Sequence, residues 1–286
     1  MSRYTVYGDL AARETVALST ILMAKGLSVA FVEETSSLSL SLAARTGDEA
    51  GPYLRTPEGF VLSGLHAMLD WLERTHPEPM LLPRTPVRRT CARVLEDWIE
   101  SWLPGWPRRS WRTVENIGAH LESTPFLLGA SPTRADWLLA AWLETDVLVH
   151  DHARTHLRIA APRLLSLGDT LLAATPVASA DDVVPISLLP ILEEVAADYH
   201  AYLIGNHEAI KDRSDRVLLD LGLGRRPLPV RSDCEIRRVE IGRELAALDL
   251  EARRDVRRVL EPVGAWHTLT MPSVLAEVDA SDPRSL

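Results

Sequence analysis

Apolar residues recur along this chain with two different periods, and the change between them divides it. Residues 4–7 form a short β-prone run. Residues 11–24 then place Val16, Leu18, Ile21 and Leu22 at helical spacing before Gly26, a natural helix stop, and 27–32 return to a β-prone run. Strand, helix and strand within about 30 residues predict a βαβ unit with parallel strands, because the crossover helix returns the chain to the same edge. A Ser-rich stretch at 35–41 follows, and then 52–54 and 60–62 predict a hairpin around the turn Thr56, Pro57, Glu58 and Gly59. Leu65, Met68, Leu69 and Leu72 form the apolar stripe of a helix that ends near His76 and Pro77.

Pro77, Pro79, Pro83 and Pro86 interrupt any regular element, so 77–86 is the best linker in the chain. Beyond it the helical period takes over, at 87–103, 111–121, 135–149 and 162–174. A break at 176–185 precedes long predicted helices at 188–212 and 234–260, with Gly222, Gly224, Pro227 and Pro229 marking an irregular connection between them. Thr133 and Asp136 have the spacing of an N-capping box.

Composition narrows the function. The chain has 286 residues, 46% of them hydrophobic and 25% charged, which is the balance of packed cores and a length for about two domains. A net charge of -9 argues against nucleic acid, whose phosphates are bound mainly by Lys and Arg. Cys91 and Cys234 lie far apart with no C-x-x-C, which argues against a disulfide scaffold, a zinc site or a redox pair. The N-terminus lacks a signal-peptide core, and no stretch approaches the roughly 18 apolar residues of a membrane span. The expectation is a cytoplasmic protein with no membrane partner. His150, His152 and His156 beside Asp151 read as a polar helix terminus, with no metal expected, and Arg253, Arg254, Arg257 and Arg258 as a solvated helix face.

The order βαβ, ββα, Pro-rich linker and helical remainder resembles the glutathione transferase superfamily. Gly51, Pro52, Tyr53 and Leu54 stand where that family has its cis-proline before the third strand. Glu58 to Leu62 look like its acidic-Gly turn and fourth strand, and Ala67, Met68, Trp71 and Leu72 match its third helix. The run from Phe126 through Gly129, Thr133 and Ala135 to Asp136 is similar to the signature of its helical domain. The resemblance implies an α/β thioredoxin-like N-terminal domain at 1–76, the linker 77–86, and an all-α transferase-type helical domain at 87–175. It leaves a helical extension at 176–286, like that of some bacterial members.

The resemblance also implies a glutathione site. Asp9, Leu10, Arg13, Gly51, Pro52, Tyr53, Ser63 and Gly64 are the positions that would hold the tripeptide, with the backbone before the proline pairing like an added strand. The family's Glu or Gln and its serine at the start of the third helix fall here on Gly64 and Leu65, which cannot supply those hydrogen bonds; Ser63 lies beside them, either as a helix N-cap or as a substitute. The turn Gly8 to Arg13 has no Ser, Thr or Cys to activate a thiol, which leaves Tyr7 as the catalytic candidate and Arg13 as a cation that can offset a thiolate. Trp102 and Trp106, flanking Pro104 and Gly105, are candidates for the wall of an interdomain substrate cleft. Two readings stand: a transferase-like enzyme conjugating glutathione to, or reducing, a hydrophobic electrophile, or a non-catalytic binding protein with an altered site. As an enzyme its partners would be a small thiol and that electrophile, and the family's common assembly would be a homodimer.

Overall fold

The computed structural model describes residues 3–105, 110–177, 180–220, 222 and 224–275. In chain order they form β1 (Tyr4–Gly8), α1 (Arg13–Ala24), β2 (Val29–Glu33), α2 (Ser36–Thr46), β3 (Tyr53–Arg55), β4 (Val61–Leu62), α3 (Leu65–Thr75), α4 (Pro86–Ser101), α5 (Ser110–Ser123) and α6 (Arg134–Trp142). There follow α7 (Asp151–Ala160), α8 (Pro162–Leu165), α9 (Leu167–Ala173), α10 (Leu189–Val195), α11 (Ala201–Lys211), β5 (Arg216–Asp220), β6 (Arg225–Pro229), α12 (Ser232–Ala247), α13 (Leu250–Leu260) and α14 (Trp266–Thr270). π turns at Leu143–Val147 and Ala196–His200 extend α6 and join α10 to α11. Among the described residues no helix is long and apolar enough to cross a membrane.

These elements group into two compact units, Met1–Pro83 with Ile117–Ala180 and Arg84–Asn116 with Asp181–Leu286. In this grouping residues 87–116, which the sequence reading joins to 117–175 as one helical domain, fall with the C-terminal residues, as do 84–86 of the expected linker.

In the first unit the sheet has the order β2-β1-β3-β4, with β1 parallel to β2 and β3 antiparallel to both its neighbours. Strand β1 buries Tyr4, Val6 and Gly8 and leaves Thr5 and Tyr7 half-buried, the alternation a pleated strand imposes. Helix α1 buries Ala17, Leu18, Ile21 and Leu22, and α3 buries Leu65, Met68, Leu69 and Leu72. Helix α6 packs on α1. The fully buried Arg134 donates from Nη1 to Asp70 of α3 at 2.8 Å, and its backbone N–H donates to Leu81 O at 2.8 Å. Lys25 closes the same seam by donating to the carbonyls of His76 and Pro79 at 2.8 and 3.0 Å. Both halves of the Thr133–Asp136 capping box form, and Asp136 also accepts the Leu127 N–H at 2.7 Å.

In the second unit, α12 and α13 pack on α4, which buries Val87, Cys91, Val94, Leu95, Trp98 and Ile99. The first amides of α4, those of Val87 and Arg88, donate to the two oxygens of Asp182 at 3.0 and 2.9 Å. A carboxylate there satisfies orphan donors at the positive end of the helix dipole. Asp97, buried on α4, accepts from Tyr199 Oη at 2.9 Å and Ser101 Oγ at 3.2 Å. Buried Arg238 pairs with Glu235 and donates to the carbonyls of Thr268, Met271 and Pro272, holding the segment around α14 in place.

Four stretches differ from their sequence expectation, the first being 162–174, expected as one helix and observed as α8 and α9 with a break at Ser166. The Ser-rich stretch forms α2, although only Leu42 of it is buried. The irregular connection is the hairpin β5–β6. The single helix expected at 234–260 is two, because Asp249 caps a new start by accepting the Ala252 N–H at 2.8 Å.

Burial lifts the Asp97 carboxyl to about 7, against the opposing pull of its hydrogen bonds. Its folded-state pKa lies above the unfolded one, so the stability it contributes is complete below about pH 4 and is lost as pH rises through about 7. Unfolding free energy is therefore expected to fall from about pH 4 to about pH 7 and to level off above, by on the order of 1 kcal/mol per pH unit at the steepest point. Asp97→Asn should flatten that slope in denaturant titrations; a mutant curve as steep as the parent's would remove Asp97 as its cause.

Candidate functional site

Three segments of the first unit meet at Gly8: the end of β1, the first turn of α1 and the loop before β3. Gly8 closes the strand, and a Cβ placed on it would lie 2.4 Å from Thr15 Oγ1 of α1 and 3.3 Å from Pro52 Cβ. The absence of a side chain at Gly8 thus lets α1 and the loop before β3 approach the strand end. Asp9 shapes the next turn by accepting the Ala11 N–H at 2.8 Å, and Ala12 is the N-cap of α1, with no side-chain cap. The Gly51–Pro52 peptide is cis; Gly51 is exposed, while Pro52 and Tyr53 are buried. Among the described residues no hydrogen bond uses the N–H or C=O of Gly51.

Several expected residues take other roles here. The Arg13 guanidinium lies against Glu14 and, at 3.6 Å, Asp146, so its charge is already balanced. Ser63 precedes the N-cap of α3; the cap itself is Gly64 at φ +76°, with no side-chain hydrogen bond, which corrects the expectation of a serine cap. Leu65 turns into the core at 6% exposure. Tyr7 is half-buried, opposite Val32 and Tyr53 in the sheet register, and Leu10 is exposed. The structure thus brings Gly8, Thr15 and Gly51–Pro52 together and places no polar side chain at the first two positions of the α3 entry.

Two neighbours of this site were not singled out from sequence. Thr15 lies two residues past the turn searched for a hydroxyl. Glu34 follows β2, and its Oε2 is 2.7 Å from where a Cβ on Gly51 would be. The register that sets Gly8 opposite Glu33 carries the end of β2 to this end of the sheet, which no local pattern reveals.

Trp102 belongs to the second unit, only 8% exposed, with its ring 5.5 and 5.2 Å from those of Tyr199 and Tyr202. Within that unit Trp102 is a packed aromatic residue; Trp106 lies outside the described residues. Cys91 and Cys234 are buried, and burial pushes both thiols up to about 12, far from a reactive thiolate. The rings of His150 and His152 stack 5.5 Å apart at the start of α7, and among the described residues no group of three or more His, Cys, Asp or Glu is arranged to hold a metal ion. An open groove of about 540 Å³ in the second unit is lined by Arg112, Asn116, Glu193, Glu194 and Asp198, but Glu194 is occupied by Thr113 and Asn116.

The sheet order, the helices on it and the helical residues docked to them are those of the glutathione S-transferases: this chain has their fold. Similar solved structures include a glutathione S-transferase from Rhodospirillum rubrum F11, at 18% identity and a TM-score of 0.51, covering 66% of this chain and 91% of that one. FzlA from C. crescentus is similar at 17% identity and a TM-score of 0.51, covering 66% of this chain and 92% of that one. About a third of this chain has no counterpart in either. No protein-family model and no curated protein matches it.

The Gly8 contact is testable by stability. Gly8→Ala forces its Cβ against Thr15 and Pro52 and should cost about 1–3 kcal/mol, the usual range for overpacking. Thr15→Ala in the same chain should recover a large part of that loss, measured as a double-mutant cycle in urea. Additive effects would mean that the two residues do not constrain one another.

Proposed function

We propose that this chain binds a small thiol peptide of the glutathione type on the exposed backbone of Gly51, at the entry to β3, and that it acts as a binding module. The supporting observation is the free peptide group: Gly51 is exposed, and among the described residues its N–H and C=O are unused. An extended peptide pairing there continues the hydrogen bonding of the sheet as an added strand. Ala12, Gly64 and Leu65 offer neither hydroxyl nor carboxylate, and Arg13 is engaged by two carboxylates. That composition favours holding a thiol over activating it.

A catalytic reading has one support of its own. No side chain caps α1 at Ala12, so the first amides of the helix are open to a thiolate, whose charge the helix dipole favours. In that reading Tyr7 completes the site, and the second reactant is a hydrophobic electrophile that the bound thiol conjugates or reduces.

Ligand binding to the folded state alone stabilises by RT ln(1 + [L]/Kd), about 2.7 kcal/mol at a hundredfold excess over Kd. Glutathione, or the same tripeptide with both carboxylates amidated, should therefore raise the melting temperature at millimolar concentration, while turnover of an electron-poor aryl halide stays at the solution rate. No shift with either peptide would contradict the proposal. Turnover above the solution rate that disappears in Tyr7→Phe would replace it with the catalytic reading.

A further inference from the structure

The charge around Gly51 decides which thiol peptide fits, an inference that rests on the binding reading above. Glutathione is a net anion with two carboxylates and one ammonium. A site for it has to meet negative charge with donors. Around Gly51 the side chains are of the opposite kind. Glu34 Oε2 stands 2.7 Å from the Cβ position of Gly51, so a carboxylate flanks the free peptide group itself. Glu33, exposed, is opposite Gly8 in the register of β1 and β2, and Asp9, also exposed, begins the turn that follows. Asp48 and Glu49 precede Gly51 in the chain. The Tyr53 phenol, next to Pro52, responds to this field: burial raises its pKa first, and the charges of Glu34, Asp48 and Glu49 raise it further.

The cation nearest the helix start is already matched, since Arg13 lies against Glu14 and Asp146. The α3 entry, at Gly64 and Leu65, adds no donor side chain for a ligand carboxylate. We infer that the Gly51 site selects a thiol peptide carrying an ammonium group and no carboxylate, whose positive charge pairs with Glu34, and that it discriminates against the anionic tripeptide. The carboxylate accepts from the ammonium while the peptide group of Gly51 pairs with the ligand backbone. Glu34 thus acts as a specificity residue that distinguishes two ligands of the same shape.

The comparison of glutathione with its bis-carboxamide isolates charge, because amidation changes neither length nor apolar area. Isothermal titration of the full chain at low ionic strength should show the amide binding at least about fivefold tighter, the scale of one partly solvated charge pair. Added salt should reduce the ratio, since exposed charges are screened. Glu34→Gln, a change at a half-buried side chain that leaves the sheet residues in place, should bring the ratio towards one without abolishing binding. Equal or tighter binding of the acid form, or a preference unchanged in Glu34→Gln, would overturn this inference and leave the binding reading standing. Absence of binding by either peptide would overturn both.

Discussion

At Gly8 the first strand ends without a side chain, and that allows the first turn of α1 and the loop carrying Pro52 to close on one point. A Cβ there would meet Thr15 at 2.4 Å, less than any non-bonded carbon contact tolerates, so the close approach and the glycine require each other. The rest of the candidate site follows from this constraint. Pro52 is buried against the strand end, Gly51 is left outside it with a free peptide group, and the turn from Asp9 to Ala12 is short and organised by its own hydrogen bonds. Buried Arg134, with Asp70 and the Leu81 carbonyl, fixes α3 and the segment after it, which in turn fixes where Gly64 begins the helix.

A site built in this way relies on backbone more than on side chains. The charged side chains that surround it are carboxylates or, in the case of Arg13, are already paired. Backbone groups recognise an extended peptide without regard to its side chains, so selectivity must come from the charges around them. This is why the position of Glu34 matters more than its modest burial would suggest. Its field acts on whatever pairs with Gly51. The second unit uses carboxylates differently. Asp182 and Asp97 serve as a helix cap and a buried hydrogen-bond acceptor, and its cysteines are inert.

Much of the first unit could be read from the sequence. The periods of 4–7, 11–24 and 27–32, the turn at Gly59 and the α3 stripe are local patterns, and local patterns specify βαβ and ββα units. The Thr133–Asp136 box is local as well. The stretches that were misread have mixed signals. In α2, Leu38, Leu40 and Leu42 alternate with serines at a period of two, and Ser is a weak helix former, so the helix is not visible in the pattern. In β5–β6 the prolines at 227 and 229 signal a break, yet a two-stranded ribbon tolerates them where no ladder donor is needed. The α4 cap by Asp182 joins residues more than ninety positions apart, and the Glu34–Gly51 proximity depends on sheet register. The chain's grouping of 84–116 with its C-terminal residues depends on tertiary packing alone. Position in the candidate site was legible through Gly51, Pro52 and Gly8; its charge was not.

In the proposed complex the thiol peptide pairs with the backbone of the first unit beside Gly51. Backbone amide chemical shifts of the labelled full chain, followed during titration with the bis-carboxamide tripeptide, address it residue by residue. The largest perturbations are expected at Gly8 to Arg13, at Gly51 and Tyr53, and at Ser63 to Leu65, with the second unit unchanged. Perturbations centred on the groove of Arg112 and Glu194 instead, with Gly51 silent, would contradict it.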